Sequence, residues 1–306
     1  MTADENLWPK KGNVLFLGDW CKFYDRSFAW KKLNGVDANP FVVNKKQYGE
    51  DFKYTNNLYN LFIKRLSYAL NFIHNKNFTE KDWEGLIGHW LKRYLIVFFN
   101  RYHTLKMCLD NYNVTTVNFY PEKSYSLTTR NINEFLDGCD DPTWNSVFWQ
   151  QIFNELNKNK ITVNYVSKPQ KNILILQQKS YENSISRILI EWVSKCFSSK
   201  AKIMIINSYL SKKHMVLLCL SLKMFPQIWP KSWGIITSKE NKTTRKKLLH
   251  LLKYKEDNTF ISICSDLLIQ TMPLSYLEGL KEIELNAEKR GFPKEPKVIF
   301  TSNNFF

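Results

Sequence analysis

Short apolar runs recur along this chain, and segments with helical periodicity separate them. Val14-Leu15-Phe16-Leu17, the β-branched Val114-Thr115-Thr116-Val117, and residues 161–166, 202–206 and 297–303 read as strands. Residues 173–176 and 233–236 are weaker strand candidates. Helical spacing runs through 51–74, 79–109, 144–157, 184–197, 212–224, 241–254, 260–270 and 274–288. Thr79, with Asp82 three residues on, is the N-cap signature that opens the longest of these. Residues 28–50 are polar with a turn at Asn39-Pro40, and 118–143 read as loop. Strands alternating with helices predict an α/β layer fold, a parallel sheet wrapped by helices.

The first strand carries the most chemistry. It runs into Gly18, then Asp19, Trp20 and Cys21, with Tyr24, Asp25 and Arg26 close behind. In open α/β sheets ligands collect beyond the carboxyl ends of the strands, where these residues fall. The alternative is a strand end that buries its Trp and Cys.

The long second helix places His89 and Arg93 four residues apart, on one face, beside Trp90, Tyr94 and Arg101. Arginine grips phosphate or carboxylate through a two-pronged fork, and a histidine beside it can serve as a base. The alternative is a packed helix with its polar residues in water. Asp140-Asp141-Pro142-Thr143-Trp144-Asn145 sets two carboxylates before a helix, where capping is the first use of such groups and metal or proton chemistry the second.

The formal charge of +16 attracts polyanions, whether nucleic acid, anionic lipid or phosphorylated substrates. No nucleic-acid module accompanies it, and its densest run, Arg245-Lys246-Lys247, is short. The six cysteines show no CxxC pair and the histidines no metal spacing, so neither a metal site nor a disulfide scaffold is expected, and a reducing cytoplasm fits. No glycine-rich phosphate loop or serine elbow occurs. The opening residues lack a signal-peptide core, and the longest apolar run, 215–222, is too short to span a bilayer.

Four segments, in order, resemble a family of bacterial surface-polysaccharide transferases encoded in O-antigen and related gene regions. They are Leu15-Phe16-Leu17-Gly18-Asp19-Trp20-Cys21 with Tyr24-Asp25-Arg26; Gly88-His89-Trp90-Leu91 with Phe99-Asn100-Arg101-Tyr102; Asp141 with Trp144-Asn145; and Pro296 to Asn303. The resemblance implies a Rossmann-like domain over 1–290, similar to the N-terminal half of a GT-B glycosyltransferase. Residues 291–306 would then lead into a second half, whose glutamine-histidine-glycine-glycine stretch is not matched here.

By the same resemblance a nucleotide sugar is the donor substrate, with no further cofactor, and a growing, lipid-linked glycan the acceptor. Asp19 and His89 become the catalytic candidates. Gly18, Trp20, Tyr24, Asp25, Trp90, Arg93, Arg101, Asp141, Trp144 and Asn145 become candidates for binding substrate. The cytoplasmic inner membrane surface and a separate C-terminal half are the implied partners. The other readings are a non-enzymatic docking partner and, from charge alone, a nucleic-acid binder.

Overall fold

The computed structural model describes residues 2–121, 125–156, 161–166, 201–206, 208–227, 236–252, 259–289, 292–293 and 295–301. The strand candidates at 173–176 and 233–235 and the helix at 184–197 lie outside them. The chain divides into two units: Met1–Leu176 with Glu240–Leu277, and Gln177–Lys239 with Glu278–Phe306.

The first unit is built on a helical hairpin. Helix α2 spans Lys45–His74 and α3 spans Glu80–Asn111; a single turn, α1 (Ser27–Trp30), precedes them. Both long helices are capped as their sequences require. Asn44 accepts from the Gln47 N–H, while Thr79 and Asp82 close a reciprocal capping box. Asn75 ends α2 in the left-handed conformation, which asparagine tolerates well. Asn71 then ties the hairpin shut. Its Oδ1 accepts from Phe78 N (3.1 Å) and Trp83 Nε1 (2.9 Å), and its Nδ2 donates to the Phe78 carbonyl (2.8 Å). Where the helices meet, a Cβ on Gly88 would lie 2.6 Å from the Tyr59 hydroxyl, so glycine permits the close approach.

Helix α3 buries Trp83, Trp90, Tyr94 and Phe98 completely, which marks it as the centre of the core rather than a surface helix. Helices α4 (Ile132–Asp140) and α5 (Pro142–Leu156) pack beside it. Helices α7 (Lys242–Leu252) and α8 (Thr259–Thr271) return from later in the chain, α7 packing on α2 and α8 on α3. Phe260 of α8 sits 5.1 Å from Phe98 and 4.8 Å from Tyr102, ring centre to ring centre. Arg245, from the densest basic run, is buried and donates to the Ile269 and Met272 carbonyls at the end of α8, where unpaired carbonyls and the helix dipole favour a cation.

Strands are short and come in pairs. In the first unit β1 (Asn13–Phe16) lies parallel to β2 (Asn34–Asp37), and β3 (Thr116–Phe119) parallel to β4 (Thr162–Tyr165). The second unit pairs β5 (Ile203–Ile205) with β6 (Val298–Phe300), again parallel. It also contains α6 (Lys212–Ser221) and α9 (Leu280–Lys289). Glu282 of α9 accepts from the backbone and side chains of Thr237 and Ser238, which hold its carboxyl below the usual range.

The alternation read from the sequence is present, and so is its parallel sense, but the Rossmann-like sheet is not. Among the described residues the sheets are three separate pairs of three- or four-residue strands, and helices dominate. The aromatic load of α3 explains the difference: the large side chains that would face a central sheet are buried against other helices. The likeness to half of a GT-B enzyme therefore does not extend to the fold.

One half-buried group links this core to pH. His103 lies among Phe41, Phe99, Tyr102 and Phe260, with ring centres 4.2–5.8 Å away. Burial lowers its pKa below 6.5, against an opposing pull from Asp51. The folded form favours the neutral ring, so the unfolded chain binds the proton first as pH falls through the ordinary value. Stability is intact above that range and declines on acidification below it. A His103→Gln variant is expected to show a flatter dependence of Tm on pH below 6.5 than the parent chain; equal slopes would remove His103 as the cause.

Candidate functional site

The turn after β1 exposes several of the candidate side chains. Residues Asp19–Cys21 and Tyr24–Arg26 form two successive 3-10 turns. A Cβ on Gly18 would come within 2.5 Å of Trp20 Nε1, so the indole folds back over its own glycine and any larger residue would push it away. Trp20 remains half-exposed, and its ring lies nearly parallel to Trp149 of α5, 6.1 Å between centres. Cys21 points inward; burial pushes its thiol up to about 11, which disqualifies it as a thiolate nucleophile.

The Asp19 side chain is 91% exposed and meets the Lys22 ammonium at 3.2 Å. The same Lys22 reaches Asp37 Oδ2 at 2.5 Å, across from the end of β1 to the end of β2, and lies near the ring faces of Phe16 and Trp30. Hydrogen bonding to Asp37 raises the Lys22 pKa. The other carboxylate oxygen of Asp37 is buried without a partner. Tyr24 is almost wholly exposed and Asp25 is exposed. The carboxyl ends of this parallel pair thus present a carboxylate held by lysine beside an open indole face. Such a set can accept hydrogen bonds from hydroxyls and stack on a ring.

The α3 candidates divide. His89 and Arg93 are both exposed on the outer face of the helix. Trp90 is fully buried, with Tyr94, Phe135 and Tyr276 around it at 5.8–6.3 Å between ring centres. Arg101 is partly buried and donates to the Cys139 carbonyl (3.2 Å) and to Asn145 Oδ1, with its guanidinium 5.2 Å from the Phe148 ring centre. Burial pushes its pKa down to about 10.

The Asp141–Trp144–Asn145 segment joins α4 to α5. The Asp141 carboxylate accepts from the Trp144 N–H at 2.6 Å, a helix cap, and burial raises its pKa. Asn145 Nδ2 donates to the carbonyls of Cys139 (2.6 Å) and Asp141 (2.9 Å). Trp144 is buried and donates to the Leu127 carbonyl. The structure therefore gathers Arg101, Asp141 and Asn145 into one hydrogen-bonded junction, and gathers Gly18, Asp19 and Trp20 at the β1 turn.

Three residues outside the sequence-derived set belong to the β1 turn: Lys22, Asp37 and Trp149. Lys22 sits three positions after Asp19 and was legible as a possible partner. Asp37 depends on β2, whose Asn-Gly-Val-Asp gives no strand signal, and Trp149 on the tertiary packing of α5. Among the described residues no cluster of three or more His, Cys, Asp or Glu is placed to hold a metal ion, and no helix is long and apolar enough to cross a membrane.

Neither comparison with curated proteins nor comparison with solved structures gives a match. Comparison with protein families does: the LIC12162 family transferase description matches residues 1–306, so the β1 turn, the α3 face and the Arg101 junction all lie inside the matched region. The chain belongs to the LIC12162 family of transferases.

Proposed function

We propose that the transferred group is a sugar, moved from a nucleotide donor to a surface glycan, and that the β1 turn receives the acceptor. The observation that carries this reading is the open Trp20 indole beside the Asp19 carboxylate, at the carboxyl end of a parallel strand pair. An indole face packs on the C–H face of a sugar ring, while a carboxylate accepts its hydroxyl protons. Asp19 is the acceptor-orienting group and the candidate base; Lys22 holds it in place. Tyr24 and Asp25 extend the surface. His89 and Arg93, exposed on α3, take anionic groups, and the excess of basic residues favours residence at an anionic membrane surface.

The test is a glycan-binding titration followed by transfer assays in the intact protein. Trp20→Ala is expected to weaken acceptor binding about tenfold, which corresponds to ~1.4 kcal/mol. Asp19→Asn is expected to lower transfer by about 100-fold or more, in the range for loss of a general base. Both should leave Tm within a few degrees, because the Asp19 side chain is in solvent and Trp20 is half-exposed. Unchanged binding and turnover in both variants would sink the assignment.

A second reading, a docking partner for a separate C-terminal half, is favoured by β6. Val298, Ile299 and Phe300 are all exposed, an apolar strand that a further strand or helix could cover. Affinity purification that recovers no such chain would count against it.

A further inference from the structure

From a cavity of about 570 Å³ in the first unit we infer a binding site for an uncharged hydrocarbon chain, distinct from the acceptor surface at the β1 turn. It lies among β1, β3, the last turns of α3, and α5. Close-packed interiors hold few voids larger than a water molecule, and this volume falls within the range of ~300–1,000 Å³ typical of small-molecule sites.

The wall chooses the ligand. Leu7, Val14, Leu15, Leu105, Val117 and Phe153 contribute its apolar surface. Among the described residues that line it, none is Lys, Arg, Asp, Glu or His, although 24% of the chain is charged. A phosphate, carboxylate or ammonium would therefore enter with no counter-charge and lose its hydration.

Several of the polar residues at its border bond to one another or to nearby carbonyls. Asn34 Nδ2 donates to Asn13 Oδ1 (2.6 Å), across the β1–β2 pair. Asn164 Nδ2 donates to Asn118 Oδ1 (3.3 Å), across the β3–β4 pair, and Asn118 Nδ2 to the Leu7 carbonyl (2.8 Å). Ser146 donates to the Pro142 carbonyl and bonds Thr2. Each of these bonds takes up a donor and an acceptor that the hydroxyls of a sugar would otherwise engage. The indole N–H of Trp149, which also lines the cavity, is buried without a partner.

The occupant is thus an alkyl or isoprenyl chain with a neutral end. Trp149 lines the cavity and also stacks on Trp20, so a chain held here would sit behind the acceptor surface. That last relation rests on the glycosyl-transfer reading; the cavity chemistry does not, and the test uses no transfer reaction.

The experiment is fluorescence displacement of N-phenyl-1-naphthylamine from the purified chain by hexadecanol, by farnesol and by maltose, with thermal melts alongside. Saturable displacement by the alcohols, an increase in Tm on adding them, and no response to maltose are expected. The stronger of the two alcohols identifies a straight or an isoprenoid chain. Val117→Trp and Leu109→Trp, which fill the space, should each weaken displacement about tenfold or more. Should both fail to fold, Leu109→Phe provides the same comparison with less added bulk. Displacement by maltose, no saturable response to either alcohol, or parental binding in the folded filled variants would overturn the assignment. Loss of alcohol binding in filled variants with sugar binding intact at Trp20 would separate the two sites.

Discussion

Trp90→Ala is expected to destabilise the folded chain by about 3–5 kcal/mol, the cost of emptying a large aromatic site in a close-packed core. For a unit of this size that corresponds to a fall in Tm on the order of 10 °C. The ring is inaccessible to solvent and enclosed by Tyr94, Phe135 and Tyr276, which come from three different segments. Its indole N–H is buried without a partner, so Trp90→Phe keeps an aromatic filler and deletes an unsatisfied donor. That variant should recover most of the lost stability. Calorimetric or circular-dichroism melts of the two variants decide the matter. A Trp90→Ala protein with parental Tm but impaired glycan binding would mean the residue serves a ligand and not the core.

The second large effect is expected at Arg101. Arg101→Ala removes two hydrogen bonds from a cationic donor and leaves Asn145 Oδ1 without its partner, while the Cys139 carbonyl keeps only the Asn145 amide, a loss of about 2–4 kcal/mol. Contact of the guanidinium with the Phe148 ring goes with it. Arg101→Lys should rescue little, because an ammonium lacks the planar fork that reaches both acceptors from one side chain. Urea denaturation is the suitable readout, since the midpoint concentration moves with stability while the slope reports the surface exposed on unfolding. A lysine variant as stable as the parent would show that charge alone holds the α4–α5 junction.

Both positions had been candidates for contact with substrate, and they show where sequence is and is not informative. Periodicity and the Thr79/Asp82 signature located α2 and α3 almost completely, because long helices repeat their signal over many turns. The apolar runs located β1 and β4 to within a residue or two. Helix α4 was missed because its nine residues, with Gly138 inside, sit in a polar stretch that reads as loop. Strand β2 was missed because its one apolar side chain, Val36, is exposed and its pairing is set by β1.

That the strands of the described residues stay in separate pairs could not be read at all. Strand count and order of elements are local properties, whereas joining pairs into a sheet depends on what the helices bury. Arg245 makes the same point with a charge: beside two lysines it reads as solvated surface, and only the position of the α8 carboxyl end makes it a buried cap. At the β1 turn the reverse holds. Gly18, Asp19 and Trp20 were legible as a group because one tight turn brings neighbours in sequence together in space, while Trp149 lies more than a hundred residues away.

The order in which these pieces leave the ribosome matters. The first unit is discontinuous: its last segment, Glu240–Leu277, follows much of the second unit in the chain. Helices α7 and α8 lie in that late segment, and Phe260 closes over Phe98 and Tyr102. At about 5–20 residues per second, synthesis from Leu176 to Leu277 takes on the order of 5–20 s. Throughout that interval the nascent α2–α3 hairpin displays an unsheathed aromatic flank. Ribosome-bound chains halted near residue 176 should accordingly recruit chaperone holdases and be cut readily by chymotrypsin, and both susceptibilities should vanish together once Leu277 has cleared the exit tunnel.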